Sequence, residues 1–498
     1  MKNRIILQSV VYLYFIVIVT VLLFWAILRE GIVHVRGDYD MAVVTSFIAV
    51  GLVSIVFLAQ GVLRCGISLS IIHWYFVLIF FFLVPFLQYL GNRFRFPVDS
   101  DSVLMGNMYI LLWCLVYAFS YNYSIKKANK PSRALSLFSG ESLRPHRLKQ
   151  KLYVLTLISV SVALYLISVG GIESFLTRGS YGLFVERVGG WGPRGLIVTF
   201  YLRPLLFFAF ILFVGVAFLF KRIKKTPAMY LCLFALIVTN IIVNNPFSYA
   251  RFMLFTMAFG LFILFSFRRV KSSLVYIAAL FLGLISFHTL NIFRQAYLDA
   301  SRSDTLKFTW DFLFRGSLDA YENFVHTISH VSRTGIMYGR QLAGGLLFFV
   351  PRALWTDKPV GSGTYIAETL ERRFDVTNFN IANPLISEMH LNFHIFGIIA
   401  GALFYGVVTG WLDKHYWISM EKDTSGQTAH HRSMNFYRLL YPFLPGLYLF
   451  HLRGDFMSSF AYAVGFVLAF VTAVVFLKLK IFGMKLRVAE RYREATGE

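Results

Sequence analysis

Long apolar runs constrain the fold of this chain more than any other feature of its sequence. They are mostly about 17 to 25 residues long, the length at which an α-helix crosses the hydrocarbon core of a bilayer. Hydrophobic residues make up 57% of the chain and charged residues 15%, which excludes an ordinary soluble globule. Lipid admits only helices and closed barrels, and continuous rather than alternating runs exclude the barrel. We therefore predict an all-α polytopic membrane protein.

The runs predict about twelve transmembrane helices. They lie at about 5–28, 42–63, 71–91, 103–122, 152–169, 196–220, 228–244, 252–267, 273–293, 390–412, 437–451 and 459–479. Lysine and arginine are concentrated at 124–151, 221–225 and 268–271 and in the C-terminal tail, so we expect these segments and both termini on the cytoplasmic side.

Three parts follow from this topology. Residues 1–293 hold the first nine predicted helices and an arginine-rich outer loop at 170–195, and residues 390–498 hold the last three helices and a basic cytoplasmic tail. Between them, residues 294–389 form an outer loop. At its centre lies GGLLFFVPRALWTDKPVGSGTY (Gly344–Tyr365), an apolar run that is too short to span and is broken by Pro351. We predict a re-entrant or interfacial element here that forms the wall of an active site, with two further helices at about 306–329 and 365–374.

The distribution of charge argues against a nucleic-acid partner and for an anionic ligand on the outer side. A net charge of +23 would suggest nucleic acid in a soluble protein, but here it follows from basic cytoplasmic loops beside anionic lipid, so we expect no nucleic-acid partner. The predicted outer segments hold about 17 arginines and only two lysines, Lys307 and Lys358. Topology gives no reason to prefer arginine, whereas its planar fork grips phosphate in bidentate fashion. The outer face is therefore predicted to hold a phosphate-like anion.

The candidate anion ligands differ in their surroundings. Arg203 lies about two turns inside a predicted span next to Pro204, where a charge needs a partner or a cavity unless it snorkels to the interface. Arg251 and Arg453 stand at outer helix ends, where contact with lipid headgroups is the alternative. The full set of residues predicted to bind the phosphate-like anion is Arg178, Arg187, Arg194, Arg203, Arg251, Arg294, Arg315, Arg340, Lys358 and Arg453.

The segment NPLISEMHLNFHIFG, at the exit of the large loop, supplies candidate catalytic groups. Glu388 and Asn392 are spaced i, i+4, as are His390 and His394. A lone carboxylate at a water–membrane boundary suits a general base, since desolvation moves its pKa towards neutrality. The alternative is an acid that only favours the positive end of a helix dipole. We predict Glu388, or His394 if Glu388 is structural, as the base.

Two kinds of motif in the sequence resemble metal sites, the histidine pair at His390 and His394 and two Asp-x-Asp pairs. The two histidines lack further nearby Cys or His ligands for a zinc site. Asp38-Tyr39-Asp40 and Asp99-Ser100-Asp101 match the short Asp-x-Asp pattern of metal-dependent glycosyltransferases, a pattern that is frequent by chance. We predict no metal and no other cofactor.

The chain resembles bacterial O-antigen or oligosaccharide repeat-unit polymerases, the Wzy-type membrane glycosyltransferases. The resemblance is carried by VPRALWTDKPVGSG, by NPLISEMHLNFHIFG and by FHLRGDF near the end. Arg178 and Gly189 also fit the arginine, ten residues, glycine spacing of this class. The companion spacing from Arg352 is not met, because the sixteenth position after it is Glu368.

The resemblance implies a GT-C-like architecture in the bacterial inner membrane and a reaction at its outer leaflet. A growing glycan would pass from undecaprenyl diphosphate to a fresh lipid-linked repeat unit, with Arg352 and other outer arginines stabilising the departing diphosphate without metal. Expected partners are the lipid-linked oligosaccharide, membrane lipid, and chain-length regulator and flippase proteins. The alternatives are an O-antigen ligase and a lipid-linked oligosaccharide flippase, which would need polar residues spread through its spans.

Overall fold

The structure is a computed structural model. It describes residues 40–64, 67–127, 133–140, 143–176, 178–188, 192–220, 223–266, 275, 278–280, 282–283, 318–374, 381–424 and 435–479. Regular structure in these ranges is helical, and the β contact among them is a single bridge between Ser139 and Asn435. Seven helices within the same ranges are long and apolar enough to cross a membrane. The prediction of an all-α membrane protein is confirmed at this level.

The described helices are numbered in chain order. They are α1 (Met41–Arg64), α2 (Leu69–Leu90), α3 (Ser100–Lys127), α4 (Pro145–Gly170), α5 (Arg178–Arg187), α6 (Arg194–Leu219), α7 (Pro227–Val243), α8 (Arg251–Ser266), α9 (Ala320–Thr334), α10 (Arg340–Leu346), α11 (Ser362–Phe374), α12 (Leu385–Thr424), α13 (Leu444–Arg453) and α14 (Phe456–Lys478).

Nine of the twelve predicted spans coincide with described helices, and the other three do not. The predicted span at 5–28 and most of that at 273–293 lie outside the described residues. The span predicted at 437–451 is interrupted, since a short helix at Tyr437–Leu440 passes into a 3-10 turn before Pro445 opens α13. Proline fits the first turn of a helix because its missing N–H has no intrahelical acceptor there.

Side-chain caps set the starts of three helices. The carboxylate of Asp40 accepts from the Ala42 N–H (2.8 Å) before α1, and Asp99 accepts from the Ser102 N–H (2.8 Å) before α3. The Ser68 hydroxyl accepts from the Ile71 N–H (3.2 Å) before α2. Such caps satisfy N–H groups that the helix itself leaves unpaired. In each Asp-x-Asp pair, one aspartate therefore serves as a helix cap.

The first of two compact units comprises Met1–Lys130, Arg251–His415 and Pro442–Ala461. Its centre is α2, whose first eight residues are all buried. The amphipathic helix α9 packs on α3, because the Tyr321 hydroxyl donates to Asn107 Oδ1 (2.9 Å) and Ile328 lies against Gly106. Of the predicted loop helix at 306–329, residues 306–317 lie outside the described residues, and the rest corresponds to α9, so that this part of the large loop is buried.

The second unit comprises Pro131–Ala250, Tyr416–Tyr441 and Tyr462–Glu498. Helices α4, α6 and α7 pack together in it. Lys151 on α4 is buried, and its Nζ donates to the carbonyl oxygens of Leu477 (2.5 Å) and Leu479 (2.7 Å). A lysine placed there satisfies carbonyl groups that the end of α14 leaves without partners.

Candidate active site

The helix that carries the predicted base is broken. Within α12, Phe393 (φ −140°, ψ 17°) and His394 (φ 54°, ψ −141°) have non-helical backbones. After the break, Gly397 approaches the carbonyl oxygen of Met389 so closely that a Cβ atom would overlap it, and a Cβ at Gly401 would lie 2.7 Å from Met389 Cγ. The residues before the break therefore form a short helix that folds back against the long one.

Glu388 lies on this short helix and is buried, with 1% of its surface exposed. The amide of Asn392 donates to Glu388 Oε1 (3.2 Å) and to the Glu388 backbone oxygen (2.8 Å). Glu388 Oε2 has no hydrogen-bond partner among the described residues. A buried oxygen without a partner is costly, so this atom is a ready acceptor for a donor that enters the site.

The short helix is tied to the large loop through backbone groups that the break frees. The Met337 N–H donates to the Leu391 carbonyl oxygen (2.9 Å). This oxygen is available because the interruption of the helix removes its usual intrahelical N–H donor. The Leu342 N–H, on α10, donates to Asn392 Oδ1 (3.3 Å). Asn392 thus connects the candidate base to α10 of the large loop.

The turn between α13 and α14 anchors the loop at two further points. Arg453 pairs with Asp319 (3.4 Å), the residue that precedes α9. Asp455 accepts from the Ser362 hydroxyl (3.1 Å) and the Gly363 N–H (3.2 Å) through one oxygen, and from the Ser458 N–H (3.0 Å) through the other. A single carboxylate therefore caps both α11 and α14, where negative charge is favourable.

Asp455 also lies against the glycine-rich end of the loop motif, at Gly361 and Gly363. A Cβ atom at Gly361 would lie 2.7 Å from both Asp455 oxygens, so the backbone can approach the carboxylate only with glycine at this position. The last three residues of VPRALWTDKPVGSG therefore pack against Asp455. Sequence reasoning passed over this aspartate, although FHLRGDF was singled out as a motif.

The cations of the loop hold its turns together. Lys358 is buried, and its Nζ donates to the carbonyl oxygens of Phe348 (2.7 Å) and Val350 (2.9 Å). Burial, with a smaller contribution from Arg352, lowers the pKa of Lys358. Arg352 is exposed and donates one N–H to the Lys358 carbonyl oxygen (2.6 Å), while Arg340 pairs with Asp357 (3.0 Å). These three predicted site residues lie in one folded segment of the first unit.

His394, the second candidate base, lies in a different environment from Glu388. Its ring centroid is 4.7 Å from that of His390 and 6.0 Å from that of Tyr109. The i, i+4 spacings of the sequence are both seen as contacts, Glu388 with Asn392 and His390 with His394. They form two separate groups on the short helix and its break.

Arg203 is fully buried in the second unit. Its guanidinium carbon lies 4.3 Å from the ring centre of Tyr181 and 4.0 Å from that of Tyr249, and one Nη donates to the carbonyl oxygen of Val243 and to the Ser248 hydroxyl. One Nη is held at the carbonyl end of α7 and the cation lies over two aromatic faces, whereas Nε and the other Nη have no hydrogen-bond partner among the described residues. The side chain does not snorkel, since none of its surface is exposed. In this arrangement it is enclosed.

The remaining predicted anion ligands are spread over the chain. Arg178 begins α5, Arg187 is exposed in its last turn, and Arg194 is exposed in the first turn of α6, all in the second unit. Arg251 is half-buried at the start of α8 in the first unit. Arg294 and Arg315 lie outside the described residues.

Buried polar groups also extend through the helices of the first unit. The Tyr405 hydroxyl bonds His451 Nε2 (2.6 Å), and the Tyr121 hydroxyl donates to the buried Asp413 (2.7 Å). Sequence analysis placed the polar groups mainly outside, because single tyrosines and histidines within apolar runs carry little weight in hydropathy. Further contacts of this kind are His451 with Ser459, His73 with Tyr448, and Tyr117 with Thr409.

The fold and site define a helical membrane protein with a broken helix that carries a buried carboxylate, and with a cationic loop that is hydrogen-bonded to that helix. No protein-family model, curated protein or solved structure matches the chain. Among the described residues, no group of three or more His, Cys, Asp and Glu side chains is placed to hold a metal ion.

Proposed function

We propose that this protein polymerises undecaprenyl-diphosphate-linked oligosaccharide repeat units into a surface polysaccharide at the outer leaflet of the bacterial inner membrane. The proposal includes twelve spans with both termini cytoplasmic, and a GT-C-like arrangement with its site facing outward. The observation that carries it is the buried carboxylate of Glu388, with one oxygen held by Asn392 and the other without a partner in the described part of the chain.

Glu388 is assigned as the general base. An acceptor-sugar hydroxyl would donate to Oε2 and pass its proton there while its oxygen attacks the anomeric carbon of the donor glycan. The bond from that carbon to the diphosphate oxygen breaks, and undecaprenyl diphosphate leaves with the bonding electrons. Asn392 holds the carboxylate through its other oxygen, which fixes the geometry that proton transfer requires.

The loop cations are assigned to the leaving group. Arg352 is exposed, and Arg340 is exposed even though it pairs with Asp357. Exposed ion pairs are weak, so a diphosphate can compete for the Arg340 guanidinium. Bidentate arginine contacts would stabilise the charge that develops on the diphosphate as the bond breaks.

The test is turnover of purified protein in liposomes that contain an undecaprenyl-diphosphate-linked repeat unit. We expect a ladder of polymer lengths and release of undecaprenyl diphosphate, and we expect Glu388→Gln to abolish both while donor lipid still binds. Glu368→Gln, on the exposed side of α11, is the matched control. A fully active Glu388→Gln would show that Glu388 is not the general base.

A second candidate function is transport of a lipid-linked oligosaccharide. It is favoured by the buried polar contacts within the helices of the first unit, above all the carboxylate of Asp413 on α12. In the same liposomes, a flippase would move the intact repeat unit between leaflets without lengthening it. A ligase would instead need a lipid-core acceptor, so adding that acceptor separates the third possibility.

A further inference from the structure

The break in α12 creates a second helix start beside a pair of histidines. With Phe393 and His394 outside the helical region, the regular i to i−4 bonding is interrupted, and the Leu391 carbonyl oxygen accepts from Met337 instead. The first N–H groups of a helix that starts after such a break have no intrahelical acceptors. Such groups, together with the helix dipole, favour an anion.

An independent observation points to a ligand at this place. His390 is 99% buried, and its Nδ1 has no hydrogen-bond partner in the described part of the chain. Its ring lies next to His394, the residue at the break (centroids 4.7 Å), and next to Tyr109 of α3 (5.1 Å). His394 is exposed and Tyr109 is half-buried, so the group is open from one side.

The surroundings of this opening are apolar. Phe396 is 76% exposed, Met108 is 52% exposed, and Phe393 is 39% exposed. All three stand on helices long and apolar enough to span a membrane. A ligand that satisfies both features needs an anionic head and a hydrocarbon chain.

We propose that His390, His394 and the start of the helix after the break bind the phosphate of a membrane lipid, with its chain along Met108, Phe393 and Phe396. The imidazoles donate to phosphate oxygens, and the freed N–H groups add donors from the backbone. This site is separate from Glu388 and does not depend on its role. The shared chemistry is a lipid phosphate, whether from a phospholipid or from a polyprenyl diphosphate.

The experiment is native mass spectrometry of the full chain in detergent, titrated in separate arms with phosphatidylglycerol, undecaprenyl diphosphate and inorganic phosphate. We expect lipid to be retained in at least one of the first two arms, and the arm that binds more tightly identifies the source. The His390→Gln/His394→Gln double variant should bind that lipid about tenfold more weakly or worse, because two donors to a charged group are altered. His146→Gln, an exposed histidine at the start of α4, should bind as the unmodified protein does.

A second measurement avoids the question of whether the double variant folds. A phosphatidylglycerol or polyprenyl diphosphate that carries a photoreactive chain is irradiated with the unmodified protein, and the modified peptides are mapped. Labelling at Met108, Phe393 or Phe396 supports the site. Equal lipid retention by the folded double variant, labelling confined to other helices, or binding in the inorganic phosphate arm alone would overturn it.

Discussion

Gly397 lies directly against the carbonyl group of Met389, eight residues earlier in the chain. In a continuous α-helix these residues would be about 12 Å apart along the axis, since each residue adds about 1.5 Å. The contact therefore records a reversal of the chain at Phe393 and His394. It is this reversal that places Glu388 and His390 on a short helix with two distinct faces.

A side chain at Gly397 should disrupt the reversal. Gly397→Ala forces the two helices apart at a backbone contact that cannot move like a flexible side chain, so we expect a loss of about 2 kcal/mol or more in stability and loss of turnover. Thermal unfolding in detergent and the liposome assay measure both effects. Gly182→Ala, where nothing lies within 4 Å of the added Cβ, is the control and should unfold at or slightly above the unmodified temperature.

Asp455→Asn tests the anchoring of the loop. Asparagine keeps one acceptor oxygen, whereas the carboxylate uses both, so α11 and α14 can no longer both be capped. We expect a loss of about 1 kcal/mol, the usual value of a helix cap, and faster proteolysis between α10 and α11. Asp357→Asn removes only an exposed ion pair and should cost less than about 1 kcal/mol. Equal protease resistance of Asp455→Asn and the unmodified protein would show that the loop is held elsewhere.

The sequence predicted the helices of this protein better than the way the loop is anchored. Apolar runs of spanning length indicate helices because lipid leaves the backbone few other solutions, and nine predicted spans coincide with described helices. The prediction of an outer loop with a helix at 306–329 did not foresee that α9 is buried, and every residue from Tyr321 to Ile328 is buried. Its amphipathic pattern was short and lay within a segment predicted to be a loop between two spans.

Only the part of the site that depends on local spacing could be predicted from the sequence. Spacing alone identified Glu388 with Asn392, because i, i+4 neighbours meet on a helix. It also identified His390 with His394, although His394 lies at the break and the two rings meet without a continuous helix between them. The break at His394 has no proline or glycine at its own position to announce it. The role of Asp455 in the loop was missed because its partner Ser362 lies 93 residues earlier in the chain, and only the tertiary fold brings the two together.

Arg352→Lys separates charge from shape at the loop. Lysine retains a cation but loses the planar fork, so bidentate contact with a diphosphate is lost while membrane abundance stays unchanged. We expect turnover to fall on the order of 10². Arg372→Lys is the matched control, since that side chain is 81% exposed and forms only a loose pair with Glu368. Full turnover of Arg352→Lys would exclude bidentate recognition at this residue.

His330 predicts a pH dependence of stability. Burial, with a smaller contribution from Arg333, lowers the pKa of His330, whose Nε2 lies 3.1 Å from the Tyr365 hydroxyl. In the unfolded chain a histidine has a pKa of about 6.5, so below that pH the unfolded state binds more protons than the folded state. Stability therefore decreases as the pH is lowered. The unfolding temperature should therefore drop from pH 7.5 to pH 5, and less so in His330→Gln. His146→Gln should keep the full drop, and an identical drop in His330→Gln would assign it to other groups.

Turnover is predicted not to require a divalent metal. Asp40 and Asp99, one from each Asp-x-Asp pair, already serve as helix caps, and the loop that holds Asp99 and Asp101 has no third carboxylate and no histidine. Polymerisation in liposomes should continue in excess EDTA, and Asp99→Asn should be mild because asparagine caps a helix as well as aspartate. Asp99→Ala, which removes the cap, should lower the unfolding free energy by about 1 kcal/mol without stopping turnover. If EDTA and Asp99→Asn both stop the reaction while Glu388→Gln does not, the aspartate pairs hold a catalytic metal and the base lies elsewhere.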